Sequence, residues 1–337
     1  LAKTSSPLVY IFKLPGLLLQ KLTTKEPTDD MIEVAITSFT KVLKMDEDKD
    51  EPTSKFLTPE KVTDLLARLK KEFSDSGVDE TDAEWIISEV SGIKRSEFGD
   101  EKKVVPAVKI YKINDLAKER LSGKPLSYVL KNTNFYGYAI KTDERALIPR
   151  PETEELVERA IKSIKPTDRV LDLCTGSGAI AAVVKAKTGA EVTASDISEE
   201  ALSLAKENFA ALNLDITAIA SDAFENIDGK FDVIISNPPY IKSGEIASLQ
   251  PEVKDYEPIE ALNGGEDGLK FYRIIAETAD KYLKESGKLF LEIGFDEASA
   301  VEELLKEKYE VAVYKDISGN DRIVEATLKV ATLKEAL

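Results

Sequence analysis

Phe231-Asp232-Val233-Ile234-Ile235-Ser236 is an apolar run of the buried-strand kind, and Asn237-Pro238-Pro239-Tyr240 brings it to a stop. Neither proline has an N–H to give a sheet ladder, so the strand ends at Ser236 and the next four residues form a stiff loop at its carboxyl end. In open α/β sheets, ligands bind at that end. The chemistry of the loop is narrow. Asn237 offers one acceptor oxygen and two N–H donors, the Pro238 carbonyl is an acceptor with no helix or strand following it, and Tyr240 adds an aromatic face. Together they suit a flat amide or amino group, gripped by its N–H bonds and covered by a ring. The plain alternative is a proline-bounded turn with no ligand.

Composition removes several kinds of chemistry. The 337-residue chain has room for one full α/β domain and a smaller one. Its net charge of −16 argues against a broad nucleic-acid face, so no stable nucleic-acid binding is expected. The single cysteine excludes an intrachain disulfide. The absence of histidine removes imidazole-assisted nucleophilic catalysis and any zinc framework, and no metal is expected. A reducing, cytoplasmic setting is the default.

Along the chain, residues 1–55 read as an N-terminal extension with an acidic linker. Leu8 to Leu19 is apolar but broken by Lys13 and Pro15-Gly16, too short to span a bilayer, and without a signal-peptide cleavage site. Asp29 to Lys44 has helical periodicity, and Asp46 to Pro52 is a charged linker. This opening resembles the tail of a bacterial integral-membrane family of unknown function, and it reads as a remnant without activity of its own. Residues 56–130 form a small helical domain. Thr58 is a candidate N-cap followed by Pro59, and Val62, Leu65, Leu66, Leu69 and Phe73 mark one face. Thr81-Asp82-Ala83-Glu84 reads as a capping box for a helix ending at Gly92, and a third helix runs from about Pro106 to Ser122. Residues 131–150 suggest a hairpin linker. Arg150, between Pro149 and Pro151, is held extended.

From residue 151 to 330, strands and helices alternate, with a helix expected over Asp267–Lys284, a strand over Lys288–Ile293, and two final strands with no helix between them. The pattern implies an α/β fold with a doubly wound, mostly parallel sheet whose last strand is antiparallel. Residues 331–337 are a tail.

Leu171-Asp172-Leu173-Cys174-Thr175-Gly176-Ser177-Gly178-Ala179 joins a strand to a helix through two glycines. Such a turn lets the backbone approach a ligand and aims N–H groups at an anion. By itself it fits a nicotinamide dinucleotide and S-adenosylmethionine equally. Asp196, ending the next strand, is placed to accept ribose hydroxyls, which both cofactors carry. Asp222, followed by Ala223, can accept an adenine amino group or serve as a helix cap. Cys174 has no imidazole to lower its pKa, so it reads as a small apolar residue in a tight loop.

An Asn-Pro-Pro-Tyr loop after an apolar strand resembles the signature of methyltransferases that act on planar nitrogens. With the expected antiparallel last strand and the missing histidine, it favours S-adenosyl-L-methionine as cofactor. The wider set is more specific. Phe135-Tyr136-Gly137, Ile148-Pro149-Arg150-Pro151-Glu152-Thr153-Glu154, the Thr175–Gly178 loop, Asn237–Tyr240 and Glu257-Pro258 occur in one order, followed by Leu262–Leu269, Glu292-Ile293-Gly294 and Asp316–Arg322. This set, covering about Phe56 to Leu328, resembles the HemK/PrmC family of release factor N5-glutamine methyltransferases.

The resemblance implies a class I S-adenosylmethionine-dependent methyltransferase domain behind a substrate-recognition domain. The substrate is then a glutamine amide, in a Gly-Gly-Gln motif, of a peptide chain release factor. Cys174, Thr175, Gly176, Ser177, Gly178, Asp196, Asp222, Ala223 and Asn237 would hold the cofactor. Asn237, Pro238, Pro239 and Tyr240 would hold the substrate, with Asn237, Pro238 and Tyr240 at the chemistry. Cys174 stands where the family often has glycine, and Ala223 where some members are bulky. The catalytic part needs no membrane, and a monomer is expected. The rivals are a ribosomal-protein glutamine methyltransferase, a DNA adenine methyltransferase, for which no basic recognition region is evident, and an inactive release-factor-binding module, against which the intact loop stands.

Overall fold

A computed structural model describes residues 57–330. The expected extension and linker, Phe56 and the tail after residue 330 lie outside the described residues.

The first layer is helical. In α1 (Val62–Asp75), Val62, Leu65, Leu69 and Phe73 form one buried stripe at helical spacing. The helix starts later than the Thr58-Pro59 signal implies. Glu60–Lys61 (β1) pairs instead with Val104–Val105 (β2), and Val62 N–H bonds the Lys103 carbonyl at 3.0 Å, so tertiary pairing takes the residues a local cap would have used. The capping box expected before α2 (Thr81–Ser91) is also absent. Glu80 is the cap residue, the Asp79 carboxylate accepts the Thr81 N–H at 2.8 Å, and Glu84 turns to Lys70 and Arg95. Gly92 does close α2, in the left-handed conformation at φ 75°. α3 (Ala107–Leu121) and the short α4 (Leu126–Leu130) complete this layer.

The linker is a hairpin, β3 (Asn132–Phe135) and β4 (Tyr138–Lys141). Its two turn residues, Tyr136 and Gly137, both have positive φ, as a two-residue turn matched to strand twist requires. Arg150 is extended, at φ −96° and ψ 150°, and α5 (Pro151–Ile161) begins immediately after it with proline at its first position.

The main sheet alternates with helices: β5 (Arg169–Leu173), α6 (Ala179–Thr188), β6 (Glu191–Asp196), α7 (Glu199–Ala211), β7 (Thr217–Ala220) and β8 (Phe231–Ser236). Then come α8 (Pro251–Lys254), α9 (Lys270–Thr278), β9 (Leu283–Glu292), α10 (Ala298–Leu305), β10 (Tyr309–Lys315) and β11 (Asp321–Leu328). Seven strands lie in the order β10-β11-β9-β8-β5-β6-β7. β5 to β9 pair in parallel, while β11, the last strand, is antiparallel to both of its neighbours. The doubly wound sheet with its antiparallel last strand is therefore as expected. α9 starts at Lys270 rather than Asp267, because Gly268 is left-handed and the Asp267 carboxylate accepts the Leu269 N–H instead. β9 starts at Leu283, where it meets Phe231, ahead of the expected Lys288.

The apolar run of β8 is continuous because both faces are covered. Val233 and Ile235 pack into the core shared with α5, α6 and α7, and Ile234 into the core under α9 and α10. Parallel register sets Leu173 level with both Ser195 and Ser236. Cys174, Asp196 and Asn237 therefore leave the sheet side by side. The helical layer docks onto this edge through Arg120 and Glu252 (3.2 Å), Lys124 and Glu144 (2.7 Å), and the Tyr256 hydroxyl donating to the Ser122 carbonyl (3.0 Å).

Candidate active site

The loop after β5 is shaped by a buried acid. Asp172 Oδ2 accepts the Thr175 hydroxyl at 2.5 Å and the Ala181 N–H at 3.0 Å, tying the loop to the first turn of α6, while Oδ1 has no partner among the described residues. Burial pushes this carboxyl up to about 7. Cys174 and Gly176 are left-handed, at φ 61° and 55°. A Cβ at Gly176 would meet nothing nearer than Ala146 Cβ at 4.0 Å, so the loop is open on its ligand side. Gly178 is different. A Cβ there would come within 2.6 Å of the Phe209 ring and 2.9 Å of Ala205 Cβ. It packs between α6 and α7 and is not among the residues that line the cavity. The Cys174 thiol is pushed far up, first by burial and then by the Asp196 carboxylate, so it is no nucleophile.

A cavity of about 490 Å³ opens over the carboxyl ends of these strands. Cys174, Thr175, Gly176 and Ser177 form one side, and Asp196 lies next to them. Asp196 accepts the Gly176 N–H on Oδ2 (2.8 Å) and the Ser198 N–H on Oδ1 (2.9 Å), and burial raises its pKa despite those bonds. The carboxylate still borders the cavity. Asp222 and Ala223 line the far end, with Ala223 held left-handed at φ 45°. The segment after the hairpin adds Leu147 and Pro149, and Pro258, Ala261 and Phe271 also line the space. Five carboxylates border the space (Glu144, Asp196, Glu200, Asp222, Glu260) against the single guanidinium of Arg145, which is itself paired with Asp143 and Glu207.

Asn237 and Pro239 reach the cavity, whereas Pro238 and Tyr240 lie outside its wall. The Asn237 amide nitrogen donates to Thr153 Oγ1 at 3.1 Å, and Thr153 in turn donates to Glu292 Oε2 at 2.6 Å. The Tyr240 hydroxyl stands 3.5 Å from the other oxygen of Glu292. Burial pushes the Glu292 carboxyl up to about 7. Just past Tyr240 the chain forms a one-residue parallel bridge, Ile241 to Asn263. This brings the glycine-rich turn directly behind Tyr240. A Cβ on Gly264 would lie 2.7 Å from Tyr240 Cα, and one on Gly268 would lie 2.6 Å from the Tyr240 carbonyl oxygen. Thr153 and Glu292 were legible only as parts of motifs. They come from α5 and the end of β9, and no spacing in the sequence brings them onto Asn237.

Residues 153–250 match the family described as "Methyltransferase small domain", residues 64–130 the "PrmC N-terminal domain", and residues 1–45 a "Protein of unknown function (DUF1385)". The chain is 44% identical over 252 residues to the release factor glutamine methyltransferase of Thermodesulfovibrio yellowstonii, covering 72% of this chain and 90% of the relative. With the release factor glutamine methyltransferase of Streptococcus pneumoniae it shares 38% identity over 271 residues, 78% of this chain and 97% of the relative. A solved methyltransferase from Pyrococcus furiosus aligns with a TM-score of 0.45 at 22% identity, over 58% of this chain and 90% of that one. Relatives matched along nearly their full length, through the helical layer and the sheet alike, establish that this chain belongs to the release factor glutamine methyltransferase family.

Proposed function

We propose that the chain transfers a methyl group from S-adenosylmethionine to the side-chain amide nitrogen of a glutamine in a peptide chain release factor. The observation that carries this reading is the Asn237 carboxamide. Its nitrogen is engaged by Thr153, so its oxygen is the group left for a ligand at the cavity wall.

The residues present fit this cofactor. Asp196 borders the cavity as a carboxylate acceptor for ribose hydroxyls, Asp222 can accept an amino group, and Leu147, Ala223 and Phe271 offer apolar surface to a flat base. The excess of carboxylates around the cavity favours a sulfonium cation over the pyrophosphate of a nicotinamide dinucleotide. When bound, S-adenosylmethionine supplies an electrophilic methyl with its own leaving group.

The protein's task is to improve a poor nucleophile, since an amide lone pair is delocalised into its carbonyl. Asn237 Oδ1, at the cavity wall, accepts one N–H of the glutamine amide, and the Pro238 carbonyl, next to it on the loop but outside that wall, accepts the other from a glutamine that enters past the loop. They favour the positive charge that nitrogen gains as its new bond forms, and they fix its direction of approach. The methylated nitrogen is acidic enough to give its proton to water, so the absence of histidine costs nothing. The test is methyl transfer from labelled S-adenosylmethionine to a purified release factor, with the mark located by mass spectrometry. Label on a glutamine amide, cut by about 10²–10³-fold in Asn237→Ala with the fold intact, is the expected result. An unlabelled release factor, or a wild-type rate in the variant, would overturn the reading.

A further inference from the structure

The chain of contacts behind Asn237 does more than fill space. Thr153 has one hydroxyl proton, and it is committed to Glu292 Oε2 at 2.6 Å. Its oxygen can then only accept from Asn237, which it does at 3.1 Å. A carboxamide that must turn its NH2 toward Thr153 must turn its oxygen the other way. We propose that Glu292 and Thr153 are positioning residues which lock the flip of the Asn237 carboxamide, so that with Glu292 ionised the loop presents an acceptor rather than a donor to the amide being methylated. This rests on the reading of Asn237 as the acceptor of a substrate N–H.

The lock has a direction because an ionised carboxylate only accepts hydrogen bonds. Once protonated, Glu292 can donate to Thr153, and the hydroxyl is then free to donate to Asn237. The carboxamide can rotate and show its NH2 to the cavity, where it opposes the NH2 of the substrate. Burial holds the Glu292 carboxyl near about 7, so this change falls within the working range of the protein. The groups around Glu292 are known. Arg322 on β11 favours the ionised form and Glu152 on α5 disfavours it, while the Tyr240 hydroxyl faces Oε1. The Tyr272 hydroxyl, from α9, donates to the Glu292 main-chain carbonyl at 2.8 Å and leaves the carboxyl alone. Arg322 is shared with Asp316 and the Ile293 carbonyl, so it does not neutralise Glu292 on its own.

Two measurements test the lock. The first is the single-turnover methylation rate at saturating cofactor and release factor, from about pH 5.5 to 9. In the wild type the rate should fall with the ionised fraction below about pH 7. Thr153→Val should lose about 10²-fold at the plateau, Thr153→Ser should recover most of the rate with the same profile, and Glu292→Gln should lose the limb near neutrality. Cofactor affinity, as a check on folding, should stay within a few-fold in all three. A wild-type rate and profile in Thr153→Val would overturn the proposal.

The second measurement needs no turnover. The ¹⁵N side-chain amide signal of Asn237, identified by its loss in Asn237→Ala, should shift with a midpoint near about pH 7 in the wild type and stay still in Glu292→Gln. A signal that ignores pH across neutrality in the wild type would overturn the lock. If the wild type failed to methylate any release factor, the proposed function would fall instead, and this titration would still decide the lock.

Discussion

Glu257 lies buried with its carboxylate 2.5 Å from the Arg150 guanidinium, and its second oxygen accepts the Ile148 N–H at 3.2 Å. Burial raises the Glu257 pKa, and Arg150 works against that shift. One acid thus pins the extended Ile148-Pro149-Arg150 segment that forms part of the cavity wall. Arg150→Ala leaves this carboxylate buried without its counter-ion. Arg150 keeps about a third of its side chain in water, so the loss sits at the low end for a broken buried pair, about 3 kcal/mol. Urea denaturation checks it, and a change below about 1 kcal/mol would show that water replaces the guanidinium.

Gly178 is the position least able to accept a side chain. Gly178→Ala puts a methyl into Phe209 and Ala205 on a backbone at φ 81°. Overpacking and left-handed strain each cost on the order of 1–2 kcal/mol. The expected outcome is a lower melting temperature rather than a selective loss of cofactor binding, readable by calorimetry with and without the cofactor.

At Asp196 the substitution chosen decides what is learned. Asp196→Ala removes the partner of two N–H groups as well as the proposed ribose acceptor. Asp196→Asn keeps one acceptor oxygen and a nearly unchanged shape. Isothermal titration should show S-adenosylmethionine binding weakened by about 1.5–3 kcal/mol in the alanine variant and by less in the asparagine variant. Equal affinity in wild type and alanine variant would remove Asp196 from the cofactor site.

Stability should depend on pH in a two-sided way. Asp172, Glu292 and Glu297 are pushed by burial up to about 7. Between about pH 4.5 and 7 the folded chain keeps protons on these groups that the unfolded chain has released, so stability falls as pH rises through that window. Glu207 and Asp267 run the other way. Hydrogen bonds from Arg145 and Arg273 hold them down to about 2, and their contribution is lost as pH falls from about 4.5 toward 2. Glu297→Gln, which keeps an acceptor for the Gly294 N–H, should flatten the decline on the neutral side in urea titrations at several pH values.

Removing residues 1–50 should leave methyl transfer unchanged. They precede the helical layer across an acidic linker, and among the described residues the wall of the cavity comes from residues 144–271. A folded truncated protein with reduced turnover would place part of the site in that segment.

The sequence was most readable where one residue's covalent chemistry dictates geometry. Two prolines ended β8 at Ser236, and prolines on both sides kept Arg150 extended. Strand spacing placed Asp196 correctly at the end of β6. Helix starts were less readable, because a cap is a local preference that a tertiary partner can outbid. Asp82 serves Arg120 inside the helical layer, and Glu84 serves Lys70 and Arg95. Thr153 was hidden for a different reason. It lies 84 residues from Asn237 and 139 from Glu292, and only the stacking of α5 on β9 joins the three. The glycine fingerprint merged two duties, chain reversal at Gly176 and helix packing at Gly178, that only neighbouring atoms can separate.

The seven residues from Pro251 to Glu257 touch both the helical layer and the segment that leads into the cavity wall. Glu252 meets Arg120 and Tyr256 meets Ser122, both on the helical layer, while Glu257 grips Arg150 and Ile148. The next residues, Pro258 and Ala261, are cavity wall. The segment is one continuous tie between the helical layer and the cavity wall. Load placed on the helical layer at Glu252 or Tyr256 has a covalent route of six or two residues to Pro258 in the cavity wall.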